Sequence, residues 1–267
     1  MDSVTTPDAA PPVYLPYPPP PSNPRVRRAL IAVAAAWGLL LAVSGIWYSW
    51  HGRPTDRDQT TVARAEPVVA QAIADVVRAA GGSVVPALSG FEKTGDCSVT
   101  PVRDGAEYQR VVRLYTPAGG EPAVLDRIAR GLPARYRAVA RHSAGGAVHT
   151  FSADAGYYVA VTGTVERAGL VAVQARTGCR PLGQRPAADP GASPGENPLG
   201  VNGSWQLHAL PCGLRTLAVT GPASRTLSTL PETGAVVHTA DVWAAPDGRA
   251  ARFDAGTVTW TMTSGSC

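Results

Sequence analysis

Long runs of like charge are missing from this 267-residue chain, which has 24 basic and 20 acidic residues and a single lysine, Lys93. The formal net charge is only +4, and part of it belongs to arginines that flank one apolar segment. A nucleic-acid groove needs a basic patch or stripe to meet the phosphates. We therefore expect no nucleic-acid partner.

Cysteine is scarce and occurs late in the chain. None precedes Cys97, and the other three follow at intervals of 82, 33 and 55 residues. This spacing contains no Cys-x-x-Cys pair, which argues against a zinc site. An even number of cysteines in an oxidising compartment favours two disulfides.

Motifs that would indicate catalysis are also missing. Residues 191–195 match the pattern Gly-x-Ser-x-Gly, but proline and glycine flank them, whereas a nucleophile elbow needs a strand and a helix. His142, His149 and His238 lie on or beside predicted strands, and nothing in the sequence brings three ligands to metal spacing. We predict no catalytic, cofactor-binding or metal site. The alternative is an envelope-directed hydrolase or transferase, for which these histidines are the first residues to test.

Charge is completely absent from the 22 residues Ala29–Trp50. At about 1.5 Å per residue a helix of this length measures roughly 33 Å, which is enough to cross a hydrocarbon core of about 30 Å. Trp47, Tyr48 and Trp50 cluster at its distal end, where amphipathic rings favour the headgroup level. The segment is typical of a transmembrane helix.

The charges that flank this helix predict its orientation. Arg25, Arg27 and Arg28 lie on the near side, whereas basic and acidic residues are mixed on the far side. The positive-inside rule then keeps the N-terminus in the cytoplasm and puts the C-terminal region outside the cell. The alternative is a cleavable signal peptide, because the small residues 42–44 precede Gly45 at a suitable distance.

Proline content and the spacing of apolar residues divide the chain into six predicted segments. Nine prolines among residues 1–24 indicate a disordered cytoplasmic tail. Apolar residues spaced by three and four predict helices over about 67–80 and 121–132, and short alternating runs predict antiparallel strands around them. The predicted segments are a Pro-rich tail (1–28), the transmembrane helix (29–50), a tether (51–66), an α+β module (67–179), a Pro/Gly linker (180–203) and a smaller β-rich module (204–267).

Within the two modules, the segments from Cys97 to Cys179 and from Cys212 to Cys267 resemble each other. Each opens with a cysteine, continues through a β run towards a Leu-Pro pair (Leu132-Pro133 and Leu230-Pro231), and closes with an Ala-Gly turn, a β run and a cysteine. We interpret this pattern as a duplication, which predicts the disulfides Cys97–Cys179 and Cys212–Cys267. The alternative is that biased composition imitates a repeat. The expected fold class is α+β: an N-terminal transmembrane helix followed by duplicated antiparallel-sheet modules with one or two helices on one face.

The composition of the chain and the order of its segments resemble those of one class of proteins. Alanine, glycine, proline and arginine are abundant, as in proteins encoded by GC-rich genomes, and the arrangement resembles single-pass envelope proteins of actinobacteria. The resemblance carries no catalytic residues to this chain. The apolar segment, the cysteines and the lack of a catalytic motif lead us to expect a membrane-anchored, non-catalytic protein of the cell envelope that binds another envelope protein, a cell-wall polymer or a small ligand. Trp205, Trp243 and Trp260 are candidates for a ligand surface, although tryptophan in so small a module favours the core. The other alternative is an accessory or regulatory subunit of a membrane complex.

Overall fold

The computed structural model describes residues 23–51, 60–146, 148–183, 186 and 188–267. The predicted cytoplasmic tail therefore lies outside the described residues up to residue 22, as does the tether from 52 to 59. The chain forms two compact units, Met1–Arg53 and Pro54–Cys267.

The first unit contains a single helix, α1 (Pro24–His51). Its part Pro24–Trp47 is, among the described residues, the one helix long and apolar enough to cross a membrane. Large apolar side chains such as Leu30, Leu39 and Leu41 are exposed along it. A helix that exposes apolar side chains on all sides is stable in an apolar environment such as a bilayer.

Two amphipathic helices follow in the second unit, α2 (Val62–Ala80) and α3 (Glu121–Gly131). The sequence predicts a start for α2 near Pro67, but the helix begins five residues earlier because Val62 and Ala65 are buried and extend its apolar stripe. Gly81, with φ of 76°, ends it in a conformation that favours glycine. The apolar stripes of both helices pack on one face of the first sheet.

The first sheet is antiparallel and has eight strands. Their order is β1-β3-β7-β6-β5-β4, and β2 and β8 also pair with β3. The strands are β1 (Val85–Leu88), β2 (Glu92–Thr100), β3 (Arg103–Tyr115), β4 (Val139–His142), β5 (His149–Asp154), β6 (Ala160–Arg167), β7 (Leu170–Arg176) and β8 (Arg180–Pro181).

One turn in this sheet lies at a different place from its sequence signal. Asp104-Gly105 is a common hairpin signal, yet both residues lie inside β3, and the turn between β2 and β3 is at Pro101-Val102. A Cβ atom on Gly105 would lie 2.5 Å from the carbonyl oxygen of Arg180. Glycine is needed at this position because β8 approaches closely, and not because the chain turns there.

The second sheet has six strands in the order β11-β12-β13-β14-β10-β9. The strands are β9 (Trp205–Ala209), β10 (Arg215–Gly221), β11 (Val237–His238), β12 (Val242–Ala244), β13 (Arg249–Asp254) and β14 (Thr257–Ser264). Reading from β3 and from β10, the two sheets have the same sequence of neighbours, with the first strand beside the last and the intervening strands following in reverse order. The α+β fold with duplicated antiparallel sheets is confirmed.

The two halves of the duplication differ after their matching strands β3 and β10, because α3 follows β3 but, among the described residues, no α-helix follows β10. The connection between β10 and β11 contains only a 3-10 turn, Leu227–Thr229, instead of a helix. The hydroxyls of Thr226 and Ser228 lie 2.8 Å apart, and that of Thr229 donates to the carbonyl of Thr226. Such local hydrogen bonds compete with helix formation.

Both predicted disulfides are present. Cys97 and Cys179 are joined with their Cα atoms 5.9 Å apart, and Cys212 and Cys267 with theirs 5.0 Å apart. Cys97 lies in β2 and Cys212 just before β10, and each is joined to the chain just after the last long strand of its sheet, as the duplication predicts.

The segment predicted as a linker connects the two sheets and also covers part of the second one. Leu199 and Val201 are buried against Trp243 and Trp260, whose rings stack with their centroids 5.9 Å apart. The indole nitrogen of Trp260 donates to the carbonyl oxygen of Glu196 at 2.7 Å. Trp205, Trp243 and Trp260 are all buried, so they belong to a core and not to an exposed ligand surface.

Candidate ligand-binding cleft between the two sheets

A cavity of about 540 Å³ separates the two sheets. Alternation along the strands produces it, since Gln109, Val111 and Arg113 of β3 face the cavity while Val112 and Leu114 face the helices. We call this cavity the inter-sheet cleft; it is lined by Ala87, Leu88, Ser89, Glu92, Gln109, Val111, Arg113, Tyr115, Ser204, Gln206, His208, Ala218, Thr220, Arg252, Thr259 and Thr261.

The cleft is bounded at one side by an apolar contact between the sheets. Val85, Ala87, Tyr115 and Leu170 of the first sheet pack against apolar residues of β11, β12 and β13. This contact joins the two sheets beside the cleft, and both sheets belong to one compact unit. Its volume lies within the range of about 300–1,000 Å³ that is typical of small-molecule sites.

Most of the lining is polar. Hydroxyl and amide groups come from both sheets, including cross-strand neighbours on β10 and β14, where Thr220 lies opposite Thr259 and Ala218 opposite Thr261. Hydroxyls and amides can each donate and accept hydrogen bonds. These walls suit a polar ligand that carries several hydroxyl or amide groups of its own.

A cluster of charged side chains lies at the end of the cleft that is lined by Arg113 and Arg252. Arg113 donates from Nε to Glu166 at 3.0 Å, and Arg252 lies 3.7 Å from the same carboxylate and also contacts Asp254. Arg167 pairs with Asp254 as well. Three guanidinium groups thus share two carboxylates, which leaves an excess of one positive charge.

Arg252 is the least well satisfied member of this cluster. Its Nε is buried and has no hydrogen-bond partner among the residues that the structure describes. Burial, followed by repulsion from Arg113, lowers the pKa of Arg252. A buried guanidinium with an unused donor is costly, and an anionic ligand group would satisfy both its charge and its donor.

Tyr115 lies at the same end of the cleft. Burial is the main reason that its pKa rises to about 12, although nearby arginines act in the opposite direction. The phenol therefore keeps its proton throughout the physiological range. A neutral phenol beside two arginines can serve as a hydrogen-bond donor.

His208 also lines the cleft, and its buried imidazole contacts a partly buried carboxylate. Its Nδ1 lies 3.0 Å from Asp189 Oδ2, and Arg110 approaches the other carboxylate oxygen at 3.7 Å while donating to the carbonyl of Ala209. Burial alone would raise the pKa of Asp189, but the hydrogen bond and charge of His208 and the charge of Arg110 outweigh it and hold the pKa below its usual value. These contacts attach the connecting segment to β3 and β9.

The pair His208 and Asp189 is one half of a nucleophilic catalytic arrangement, which also needs a nucleophile in contact with the imidazole. Ser89 also lines the cleft, but its hydroxyl donates to the carbonyl of Gly90 and accepts from the amide of Val111. Within the described ranges, Asp189 is the one hydrogen-bond partner of His208. Among the described residues the imidazole therefore lacks the contact with a nucleophile that acyl transfer requires.

The other candidate site residues do not form a single group. His142 and His149 lie side by side on β4 and β5, whereas His238 is on β11 in the other sheet. No helix follows residues 191–195, and Gly191 forms a bridge with Gln206, so the match to a nucleophile elbow is accidental. Across the described part of the chain, no group of three or more His, Cys, Asp or Glu residues could hold a metal ion.

Sequence reasoning did not find the cleft. The available signal was weak: Arg110, Arg113 and Arg252 interrupt strands that are otherwise rich in apolar residues, which is unusual for side chains that carry charge. Comparison of the chain with protein-family models, with curated proteins and with solved structures finds no match.

Proposed function

We propose that this chain is a membrane-anchored protein whose extracytoplasmic region binds a small, polar, negatively charged ligand in the inter-sheet cleft. The observation that carries the proposal is the cleft itself, with hydroxyl and amide walls and, at one end, the cluster in which Arg113, Arg167 and Arg252 share two carboxylates. The best-fitting chemical class is an acidic saccharide, because sugar hydroxyls match the walls and a carboxylate or phosphate matches the arginines.

The location is part of the same proposal. The helix α1 is long and apolar enough to act as the anchor, and the arginines before it favour a cytoplasmic N-terminus. Two disulfides in the region after the helix favour an oxidising compartment. The layout also resembles single-pass envelope proteins of actinobacteria, for which a cell-wall polymer is one of the expected partners.

Binding would be measured by calorimetry on the full chain in detergent micelles, with uronic acid and sugar phosphate oligosaccharides compared with their neutral analogues. We expect the acidic compounds to bind at least tenfold more tightly than the neutral ones. Arg252→Gln should weaken the binding of the acidic compounds by about 10- to 100-fold, since a hydrogen bond to a charged group contributes about 1.5–3 kcal/mol.

Arg249→Gln is the matched control for this experiment. Arg249 lies on the same strand, β13, but pairs with Asp247 and Glu196 outside the cleft lining. The proposal fails if no acidic compound binds, or if Arg252→Gln and Arg249→Gln have the same effect.

The anchor is tested separately by mass mapping of peptides from isolated membranes. We expect the N-terminal peptide to be retained and to copurify with the membrane fraction. Loss of the chain before Gly45 would identify a cleaved signal peptide and a secreted protein, which would refute the anchored location but leave the cleft as a binding site.

A further inference from the structure

Two histidines converge on the outer hairpin of the first sheet, at the end opposite β1. His142 and His149 are cross-strand partners on β4 and β5, and their Nδ1 atoms lie 2.6 Å apart. The rings meet edge to face with centroids 4.8 Å apart. Asp126 of α3 lies behind them, with Oδ1 2.9 Å from Nε2 of His142.

This geometry determines what His142 can offer. When its Nε2 donates a proton to Asp126, the neutral ring has a lone pair on Nδ1, and that lone pair faces the Nδ1 of His149. A carboxylate that accepts from the far nitrogen of a histidine is the usual support of a metal ligand, because it fixes the tautomer and raises the basicity of the near nitrogen.

The spacing of the two nitrogens is close to that of a chelate. Two nitrogens that each lie about 2.0–2.1 Å from one ion are separated by about 3.0–3.4 Å, depending on the angle at the metal. The observed 2.6 Å would have to widen by less than one ångström. Both side chains are at least partly exposed, so small rotations of the rings can provide this.

We propose that His142 and His149 form a surface site for a divalent late first-row transition metal ion, Cu²⁺ or Zn²⁺. Each ring coordinates through Nδ1 as a neutral imidazole, so His149 gives up the Nδ1 proton that it shares with His142 and takes the tautomer that is protonated at Nε2. Asp126 acts as a positioning residue on the far side of His142. Water completes the coordination, since no third protein ligand is grouped with the pair among the described residues. The site is independent of the inter-sheet cleft.

The test uses the full chain in detergent micelles, prepared without a polyhistidine tag and titrated with ZnCl₂ and CuCl₂. We expect one ion to bind per chain by calorimetry, and the Cu²⁺ electron paramagnetic resonance spectrum to show coupling to imidazole nitrogen. His142→Ala and His149→Ala should each lower the affinity at least tenfold, and Asp126→Asn by about 10- to 100-fold. His238→Ala, a histidine in the other sheet, is the matched control and should leave the affinity unchanged.

The Cu²⁺ spectrum distinguishes a positioning role of Asp126 from a merely structural one. In Asp126→Asn the nitrogen coupling should persist at saturating Cu²⁺, because both ligands remain, whereas in His149→Ala it should change. If an alanine variant unfolds in the absence of metal, His149→Gln replaces it, since glutamine keeps a polar group on the hairpin. The proposal is overturned if binding is absent, or if the double variant of His142 and His149 binds as tightly as the unaltered chain.

Discussion

Truncation of the Leu199 side chain should strongly destabilise the protein, although the proline and glycine around it predict a linker without packed side chains. Leu199 is fully buried and packs beside Trp260. Leu199→Ala removes three carbon atoms from the core, at about 0.8 kcal/mol each, and the residual cavity adds to this loss. We expect a decrease of about 3 kcal/mol in the free energy of unfolding. For a unit of this size that corresponds to a decrease of about 6–12 °C in the midpoint of thermal unfolding.

The assay is guanidinium denaturation of the full chain in detergent, followed by tryptophan fluorescence. Leu182→Ala is the matched control, because Leu182 lies in the same connection but is about half exposed, at 49%. We expect the control to change the free energy of unfolding by less than about 0.5 kcal/mol. If the two variants are equally stable, the connection does not pack on the second sheet and the reasoning is refuted.

Three further outcomes test other parts of the fold. Replacement of Cys212 and Cys267 by serine should lower the free energy of unfolding by about 4 kcal/mol, the value that the chain-entropy model gives for a separation of 55 residues. Denaturation with and without reductant measures this loss, and a loss below about 1 kcal/mol would contradict the model. Asp75→Asn should lower the free energy of unfolding by about 2 kcal/mol, because the buried carboxylate accepts a hydrogen bond from Tyr136 at 2.8 Å and pairs with two arginines. An unchanged midpoint of thermal unfolding would show that these contacts make no net contribution to stability. Burial is the main reason that the pKa of Glu66 is raised, so its ionised form disfavours folding at neutral pH and this penalty fades as the pH falls through the raised pKa. Glu66→Gln should therefore stabilise the protein at pH 7 and make less difference at pH 4, and equal effects at both values would exclude a raised pKa.

Much of the first sheet was predictable from local pattern. The stripe in α3 and the alternation in β7 repeat with the periods of a helix and a strand, so their limits could be estimated within a few residues. The disulfides followed from comparing the two halves of the chain. The turn at Pro101-Val102 and the early start of α2 were not predictable, because each depends on contacts with residues far away in sequence.

The cleft was beyond such reasoning. Its walls come from both sheets, and the sequence contains no signal for which faces of the two sheets meet. The packing of the connection around Leu199 was missed for a related reason, since proline and glycine predict the absence of regular structure but not the absence of burial. The convergence of His142 and His149 depends on the register of one hairpin, which the sequence did not determine.

The missing helix of the second copy has an evolutionary consequence. In the first copy α3 covers one face of the sheet, whereas in the second a 3-10 turn and the preceding connection share that task. After the duplication the second copy thus came to depend on chain that lies upstream of its own first strand. A recombination event that joined another domain directly before Trp205 would uncover the stacked tryptophans, so the connection and the second sheet must be inherited together.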